Sequence, residues 1–324
     1  MEYIEQGIIK KVTGGLYTID LGSESATPLS GMTVFCRARG AFRHAKLSPL
    51  VGDRVDVRYT EHSFSADENG LTLSPDCADI MIDAIKERKN ALIRPPMANL
   101  DLLFVTIASA SPDPSLTVTD KLIAIAEFNN IEPVIVVGKC ELDPECAAKI
   151  KEIYEKAGYK VYLLSCKTGE GVDAFSVAAK ELIRGRTAAF AGASGVGKST
   201  LMNNLFPDLG LGTGAVSRKT ERGKQTTRTV ELFSACGGYI ADTPGFSMLD
   251  FERFDFFSKE DLPDTFREFR ESIGECKYTK CTHLCEDGCA IVERVKRGEI
   301  APSRHESYVE LYNVLKNKHG WDKK

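Results

Sequence analysis

The feature that most constrains the fold is an eight-residue pattern, Gly-x4-Gly-Lys-Ser, that runs from Gly192 to Ser199. An apolar strand-like run, Thr187 to Ala191, precedes it, and a helical pattern, Lys198 to Leu205, follows it. Glycines let backbone N–H groups turn toward phosphate oxygens, and the helix N-terminus adds its dipole. The pattern predicts a phosphate-binding loop in a doubly wound α/β domain. The alternative, a glycine-rich turn that only opens a helix, is disfavoured because the pattern is complete and correctly placed.

Within this loop Lys198 is expected to reach the β- and γ-phosphates and Ser199 to ligate Mg²⁺. The predicted phosphate-binding residues are Gly192, Ala193, Ser194, Gly195, Val196, Gly197, Lys198, Ser199 and Thr200.

Segments that resemble the other parts of a guanine-nucleotide site surround the loop in an unusual order. Gly138-Lys139-Cys140-Glu141 and Ser165-Cys166-Lys167 resemble base-recognition loops, and both precede residue 192. Thr226-Thr227 and Asp242-Thr243-Pro244-Gly245 resemble the two switches, and both follow it. An ordinary GTPase begins with the phosphate loop and ends with the base-recognition loops. The order predicts a circularly permuted GTPase domain whose second switch continues directly into the residues after 250.

The switch-like segments supply the remaining candidate residues for magnesium and catalysis. Asp242 is expected to hold the Mg²⁺ shell through water, and the Gly245 N–H to bond the γ-phosphate. A threonine hydroxyl should complete the Mg²⁺ coordination, and spacing leaves Thr226 and Thr227 both open, with Thr227 favoured.

Hydrolysis also needs a group that orients the attacking water. Phe246 follows the second switch motif and cannot do this, whereas Gln225 places an amide beside the two threonines. Gln225 is therefore the candidate, and an exposed loop glutamine without a role is an equal alternative on sequence.

The base-recognition segments depart from the usual Asn-Lys-x-Asp pattern. Lys139 can lie along a guanine ring, and the Glu141 carboxylate can accept hydrogen bonds from guanine N1 and its exocyclic amine, which adenine lacks. Glu141 is one methylene longer than the usual aspartate, and Gly138 has no side chain where asparagine is usual. Backbone N–H groups of the segment at Ser165, Cys166 and Lys167 are expected to contact guanine O6. Guanine recognition is predicted in weakened form, and a P-loop ATPase or kinase remains an alternative.

Four of the ten cysteines lie within residues 276–289. Cys276, Cys281, His283 and Cys289 provide three thiolates and an imidazole within fourteen residues, a ligand set typical of a closed structural Zn²⁺ site. Cys285 could compete for one position, although Cys289 after Gly288 fits the pattern better. Two disulfides are disfavoured because the N-terminus lacks a secretion signal.

The chain changes character along its length, and we expect three domains. Short alternating strands over 1–72 suggest a small barrel, either OB-fold or SH3-like. Residues 73–250 alternate strands and helices, as a doubly wound permuted GTPase domain should, and 251–324 are helical and charged around the cysteines. The net charge of −4 excludes a uniformly basic nucleic-acid binder, and no apolar run approaches the roughly 20 residues that span a bilayer.

Local basic segments suggest contact with RNA. Residues 36–52 carry no acidic side chain, and an aromatic residue, Phe42, lies among their basic ones. The first switch is basic as well, as is a weaker patch at residues 294–297. Basic residues of 36–52 are Arg37, Arg39, Arg43, His44 and Lys46. On residues 36–52 alone, a solvated basic loop is favoured over RNA contact. For the whole chain, a nucleotide-gated RNA-binding module with negligible turnover remains open.

The barrel, the permuted domain, the run Gly-Ala-Ser-Gly-Val-Gly-Lys-Ser-Thr and the cysteine cluster together resemble the RsgA (YjeQ) family over nearly the whole chain. The resemblance implies a cytoplasmic, monomeric GTPase of late 30S ribosomal subunit maturation that contacts 16S rRNA and no membrane. It implies GTP hydrolysis to GDP, stimulated by the subunit and coupled to release, with Mg²⁺ and one structural Zn²⁺ as cofactors. Two departures are Gly138 with Glu141, and Gln225 where the family usually has histidine.

Overall fold

The computed structural model describes residues 1–23, 27–40, 42, 47–67, 70–73, 79–207, 230–242 and 257–317. The chain forms two compact units, one of residues 1–100 with 225–245 and one of residues 101–224 with 246–324. The domain boundaries expected at residues 72 and 250 stay predictions. Several candidate residues lie outside the described part of the chain: Arg43, His44, Lys46, Gln225, Thr226, Thr227, Thr243, Pro244, Gly245 and Phe246.

The N-terminal residues form a closed five-stranded barrel. Its strands are β1 (Glu2–Thr13), β2 (Leu16–Leu21), β3 (Thr33–Ala38), β4 (Arg54–Thr60) and, after the short hairpin β5 (Phe64–Asp67) and β6 (Gly70–Leu73), β7 (Met81–Ile85). The strand order is β1-β2-β3-β7-β4, and β4 pairs again with β1. The pair β3–β7 is parallel and the others are antiparallel. This order is that of the OB-fold, which distinguishes it from the SH3-like alternative.

The alternation of apolar and polar side chains along these strands gives the barrel its buried interior. In β4, Val55, Val57 and Tyr59 point inward and are fully buried, while the residues between them face outward. Ile9 and Ile19 fill the same interior from β1 and β2. A strand pair, β8 (Ala91–Leu92) and β9 (Met97–Ala98), leads out of the barrel.

The second unit contains a parallel sheet. Its strands β10 (Leu102–Ala108), β11 (Glu132–Gly138), β12 (Lys160–Leu163) and β13 (Thr187–Ala191) lie in the order β12-β11-β10-β13. Every residue of β10 and of β13 is buried, as the continuous apolar runs predict for strands covered on both faces. The rings of Phe104, Phe175 and Phe190 pack together in this core.

Helices follow the parallel strands: α1 (Leu116–Phe128), α2 (Pro144–Lys156), α3 (Val172–Ile183) and α4 (Lys198–Leu205). Local capping explains two of their starting points. The Ser115 side chain accepts a hydrogen bond from the Val118 N–H at the start of α1, and Asp143 caps α2 through the Cys146 N–H, with Pro144 in the first position. In the first unit, β14 (Glu231–Ala235) and β15 (Gly238–Asp242) form a hairpin that pairs with β1.

The C-terminal segment contains 3₁₀ turns at Leu262–Thr265 and Arg267–Ser272, then α5 (Ala290–Lys296) and α6 (Pro302–Asn317). Helix α6 packs against α1. Among the helices that the structure describes, none is long and apolar enough to cross a membrane.

Candidate functional site

The carboxyl ends of the four parallel strands bring the candidate binding loops to one edge of the sheet. Gly192 follows β13, Lys139 follows β11, and Ser165 comes two residues after β12. Because parallel strands end at the same edge, segments that are far apart in sequence meet there. This edge is where ligands bind in open α/β sheets.

The phosphate loop depends on glycine conformations. Gly192 has φ 146°, and a Cβ atom there would lie 2.1 Å from the Thr106 carbonyl oxygen, so only glycine fits. Gly195 and Gly197 have φ 81° and 102°, and a Cβ atom on Gly197 would meet no atom within 4 Å. The loop therefore lies close against β10 and presents backbone N–H groups at the start of α4.

Lys198 lies within this loop. Its Nζ atom donates hydrogen bonds of 2.8 Å to the carbonyl oxygens of Gly192 and Ala193. Burial, which disfavours the ammonium form, lowers the pKa of Lys198 to about 8. A phosphate group near Nζ would offset that cost, so the donor set fits an anionic ligand.

The first base-recognition loop is joined directly to the phosphate loop. Lys139 Nζ donates to the Gly195 carbonyl at 2.8 Å and also to the Ser111 carbonyl. Lys139 has φ 58°, in the left-handed region, and the next N–H, of Cys140, donates to the Leu164 carbonyl at 3.3 Å. The segments after β10, β11, β12 and β13 therefore contact one another.

Glu141 has a carboxylate that is held in its charged form. A hydrogen bond from the Ser165 hydroxyl lowers the pKa of Glu141, and Lys167 and Lys139 favour its charged form as well. The Ser165 hydroxyl in turn accepts the Thr168 N–H at 3.1 Å. The Oε2 atom of Glu141 is buried and has no hydrogen-bond partner among the described residues. A buried carboxylate oxygen without a partner can accept hydrogen bonds, and the N–H groups of guanine are donors of the kind that it needs.

The two thiols in these loops are less ionisable than an ordinary cysteine. Burial raises the pKa of both Cys140 and Cys166, and the nearby Glu141 carboxylate adds to the effect. The thiol of Cys140 donates to the Val137 carbonyl at 3.2 Å. Both thiols are therefore neutral at neutral pH.

Asp242 is the last residue of β15 in the other unit. Burial raises its pKa, and the Glu231 carboxylate, paired with it in the β14–β15 register, raises it further.

The C-terminal cysteines and histidine form a compact cluster. The ligand atoms of Cys276, Cys281, His283 and Cys289 all lie within 4.8 Å of one another. The Sγ atoms of Cys276 and Cys289 are 3.9 Å apart, and each is 3.5 Å from His283 Nδ1. Tetrahedral Zn²⁺ bonds of about 2.3 Å to sulfur and 2.0 Å to nitrogen would place such atoms about 3.8 and 3.5 Å apart. The cluster therefore fits Zn²⁺, and Cys285 is exposed outside it.

One residue that the sequence analysis did not single out, Glu286, organises the loop that carries these ligands. Its carboxylate accepts the Thr282 N–H at 2.8 Å, the Leu284 N–H at 2.9 Å and the Cys285 N–H at 3.2 Å. Although burial raises the pKa of Glu286, a hydrogen bond from the Thr282 hydroxyl and these backbone hydrogen bonds outweigh that effect and lower the pKa to about 2. Its sequence signal is an acidic residue that lies between candidate metal ligands.

A second residue without a sequence signal is Arg304, which lies in α6 and is 1% exposed. It forms ion pairs with Asp120 of α1 and with Glu268, at 2.7 Å from Nε to Glu268 Oε1. The guanidinium also stacks over the Phe266 ring at 4.5 Å. These partners are up to 184 positions away in sequence, so no local pattern could predict them.

The phosphate loop, the base-recognition loops before it in sequence and the sheet edge that joins them define a P-loop GTPase of circularly permuted order. The sequence model of the RsgA GTPase family matches residues 85–252, and that of the RsgA N-terminal domain matches residues 6–65. The chain belongs to the RsgA GTPase family, and it is a GTP hydrolase. The predicted fold class, with its barrel and permuted GTPase domain, is confirmed.

Proteins similar to this chain include two small ribosomal subunit biogenesis GTPases named RsgA. The one from Agathobacter rectalis is 38% identical over 96% of this chain and 98% of its own length, and the one from Bacillus subtilis is 36% identical over 97% and 98%. The crystal structure of YjeQ from Thermotoga maritima is similar with a TM-score of 0.75 and 30% identity, covering 98% of this chain and 100% of that one. YloQ, described as a circularly permuted GTPase, gives a TM-score of 0.73 and 33% identity, covering 98% and 96%.

Proposed function

We propose that this chain hydrolyses GTP during late maturation of the 30S ribosomal subunit, and that the subunit stimulates hydrolysis and thereby promotes release. The observation that supports this most is the single sheet edge where Lys198, Lys139 and Glu141 supply groups for phosphates and guanine. The full-length similarity to proteins named small ribosomal subunit biogenesis GTPases supports the choice of partner.

The proposed roles of the nucleotide-binding residues follow from their chemistry. Residues 192–200 bind the phosphates, and the ammonium of Lys198 neutralises charge that grows on them during transfer. Glu141 selects guanine through the buried oxygen that has no partner among the described residues. Backbone N–H groups at Ser165, Cys166 and Lys167 read guanine O6, and Lys139 lies along the base.

Magnesium is assigned to residues of the phosphate loop and the switches. Ser199 and Thr227, with Asp242 through water and Thr226 as the alternative threonine, would hold Mg²⁺. When bound, the ion supplies positive charge to the β- and γ-phosphates. Gly245 would donate its N–H to the γ-phosphate, and Gln225 would orient the attacking water. These assignments rest on sequence motifs.

The regions on either side of the GTPase domain have proposed roles in binding a metal ion and ribosomal RNA. Cys276, Cys281, His283 and Cys289 would hold one structural Zn²⁺, whose closed four-ligand site leaves no position for catalysis. The barrel and its basic residues, among them Arg37 and Arg39, would contact 16S rRNA. A role on ribosomal subunits places the protein in the cytoplasm, where we propose that it acts as a monomer.

Phosphate release from GTP and from ATP, each with and without purified small ribosomal subunits, tests this function. We expect hydrolysis of GTP alone, strongly stimulated by the subunit. Equal rates with both nucleotides that ignore the subunit would indicate a different function on the same fold. A GTP-bound state that persists on the subunit would indicate an RNA-binding module gated by nucleotide.

Two variants connect that assay to the assigned residues. Lys198→Ala should abolish nucleotide binding or turnover, whereas Gln225→Ala should reduce turnover and leave GTP binding intact. Unchanged turnover in Gln225→Ala would remove it as the water-orienting residue, and unchanged hydrolysis in Lys198→Ala would overturn the phosphate-loop assignment.

A further inference from the structure

The segment between β10 and α1 contacts the base-recognition loop through a buried serine. Ser109 is 2% exposed and immediately follows β10. Its N–H donates to the Gly138 carbonyl at 3.0 Å, and its hydroxyl donates to the Lys139 carbonyl at 2.8 Å. One residue therefore holds two consecutive carbonyl groups of the loop that carries Lys139 and Glu141.

The Lys139 backbone needs such support. Its φ of 58° lies in the left-handed region, which residues other than glycine rarely adopt. In this conformation Lys139 Nζ reaches the Gly195 carbonyl of the phosphate loop. A hydrogen bond to the Lys139 carbonyl therefore helps to hold the backbone conformation from which Nζ reaches the phosphate loop.

Gly138 makes this support more important in this chain. A Cβ atom at position 138 would point toward the phosphate loop, 3.5 Å from the Val196 carbonyl oxygen and 4.0 Å from that of Ile107. Glycine places no side chain there, so position 138 contributes no side-chain link between the base-recognition loop and the phosphate loop. Among the described residues, Lys139 Nζ links the two loops through the Gly195 carbonyl, and Ser109 supports that link by holding the Lys139 carbonyl.

We infer that Ser109 is a positioning residue for guanine-nucleotide binding, because its hydroxyl holds Lys139 in the conformation that joins the two loops and places it beside the base. This inference rests on the proposed nucleotide site. Ser109 itself touches neither phosphate nor base in this account, so its effect should be on affinity and not on the chemical step.

The test compares Ser109→Ala with the wild-type chain. Loss of one buried hydrogen bond to a binding loop should weaken GTP affinity about tenfold. At saturating GTP, kcat should change by less than about twofold, since the lost contact is made equally before and during phosphoryl transfer. Ser109→Thr keeps the hydroxyl and should recover most of the affinity.

Two further variants separate positioning from general loss of stability. Ser272 is also buried, at 3% exposure, and its hydroxyl accepts a 3.0 Å hydrogen bond from Arg294 in the C-terminal segment. Ser272→Ala should therefore destabilise the fold comparably but leave GTP affinity unchanged. Gly138→Asn added to Ser109→Ala places an amide donor toward the Val196 carbonyl and should restore part of the lost affinity.

The outcomes are distinguishable. The role of Ser109 would be overturned if Ser109→Ala had the same GTP Kd as the wild type, or if Ser272→Ala raised that Kd by the same factor. Either result would leave the nucleotide site itself intact. A wild-type chain that binds no GTP would overturn the nucleotide site and this inference with it. Weaker binding that is specific to Ser109→Ala and recovered by Ser109→Thr would support it.

Discussion

At the scale of single residues, the candidate nucleotide site depends on charges held in partly buried positions. Lys198 lies among backbone carbonyls with its pKa lowered to about 8 by burial. Glu141 is held in its charged form by the Ser165 hydroxyl. The protonation state of both groups therefore depends on the fold around them. Nucleotide binding should respond to pH through Lys198 and to replacement of Glu141 by a neutral residue.

Lys198 leads to a prediction about pH. Burial lowers its pKa, so the ammonium that phosphate requires is present below about pH 8 and is lost as pH rises above it. We expect the Kd for GTP to change by less than about twofold from pH 6.5 to 7.5 and to rise roughly fivefold between pH 8 and 9, because the charged fraction of Lys198 falls from about one half to about one tenth. Equilibrium titration with a fluorescent GTP analogue measures this. Lys198→Arg, which stays charged, should remove the pH dependence, and a flat wild-type profile would contradict the prediction.

Glu141 leads to a prediction about base selectivity. Glu141→Gln replaces a charged acceptor by an amide that also carries a donor, so GTP binding should weaken roughly 10- to 150-fold, the range for one hydrogen bond to a charged group. Xanthosine triphosphate has a carbonyl where guanine has its amine, and the amide can donate to it. Its affinity relative to GTP should therefore increase. Competition between the two nucleotides measures this, and an unaltered preference would mean that another residue reads the base.

At the scale of elements, the loop between the 3₁₀ turn Arg267–Ser272 and α5 is held mainly by polar contacts. The cluster of Cys276, Cys281, His283 and Cys289 lies beside a carboxylate, Glu286, that three backbone N–H groups surround. Two further contacts join the loop to α6: the Tyr308 hydroxyl donates to the Thr282 carbonyl at 2.7 Å, and the His305 Nε2 atom lies 2.7 Å from the His283 carbonyl. A metal ion would strengthen this region, because a short loop buries few apolar groups of its own.

The cluster predicts one tightly bound Zn²⁺ per chain, which Cys289→Ser should abolish. Cys285→Ser is the matched control, because Cys285 is exposed and lies outside the cluster. Elemental analysis of both purified variants gives the stoichiometry, and thermal unfolding with and without a chelator gives the effect on stability. Equal zinc loss in the two variants would mean that Cys285 is a ligand.

At the scale of the whole molecule, the second unit joins its C-terminal segment to the nucleotide-binding sheet through charged groups. Arg304 of α6 pairs with Asp120 of α1, and Arg267 and Arg270 both pair with Glu127 at the other end of α1. Helix α1 follows the segment that contains Ser109. The C-terminal segment therefore packs on an element that begins beside the candidate nucleotide site.

Arg304→Met tests how much this junction contributes. The change leaves the carboxylates of Asp120 and Glu268 buried without their partner, which typically costs about 3–5 kcal/mol. Arg184→Met is the control: Arg184 and Glu181 are 70% and 62% exposed, and such surface pairs contribute about 0–1 kcal/mol. Urea unfolding followed by circular dichroism should show a lower midpoint for Arg304→Met alone. Equal midpoints would mean that the buried network is replaceable by apolar packing.

Features encoded within short stretches of sequence were predictable. The continuous apolar runs of β10 and β11 predicted buried parallel strands, and the alternation in β4 predicted a strand with one buried face. The pattern from Gly192 to Ser199 predicted a phosphate loop because its glycines and helix start are local. The spacing of the cysteines and histidine within fourteen residues likewise predicted one candidate metal site that includes Cys276 and Cys289. The structure brings these side chains together.

Contacts between residues distant in sequence were decided by the tertiary structure. No local pattern in the sequence indicates how β1 and β4 close the barrel or that β3 and β7 pair in parallel. The same is true of the Ser109 hydroxyl on Lys139 and of Arg304 between Asp120 and Glu268. The physical reason is that a hydrogen-bond or ion-pair partner can be any compatible group that folding brings within reach. Sequence by itself therefore determined the kinds of element and the chemical groups available, and packing alone decided which of those groups meet.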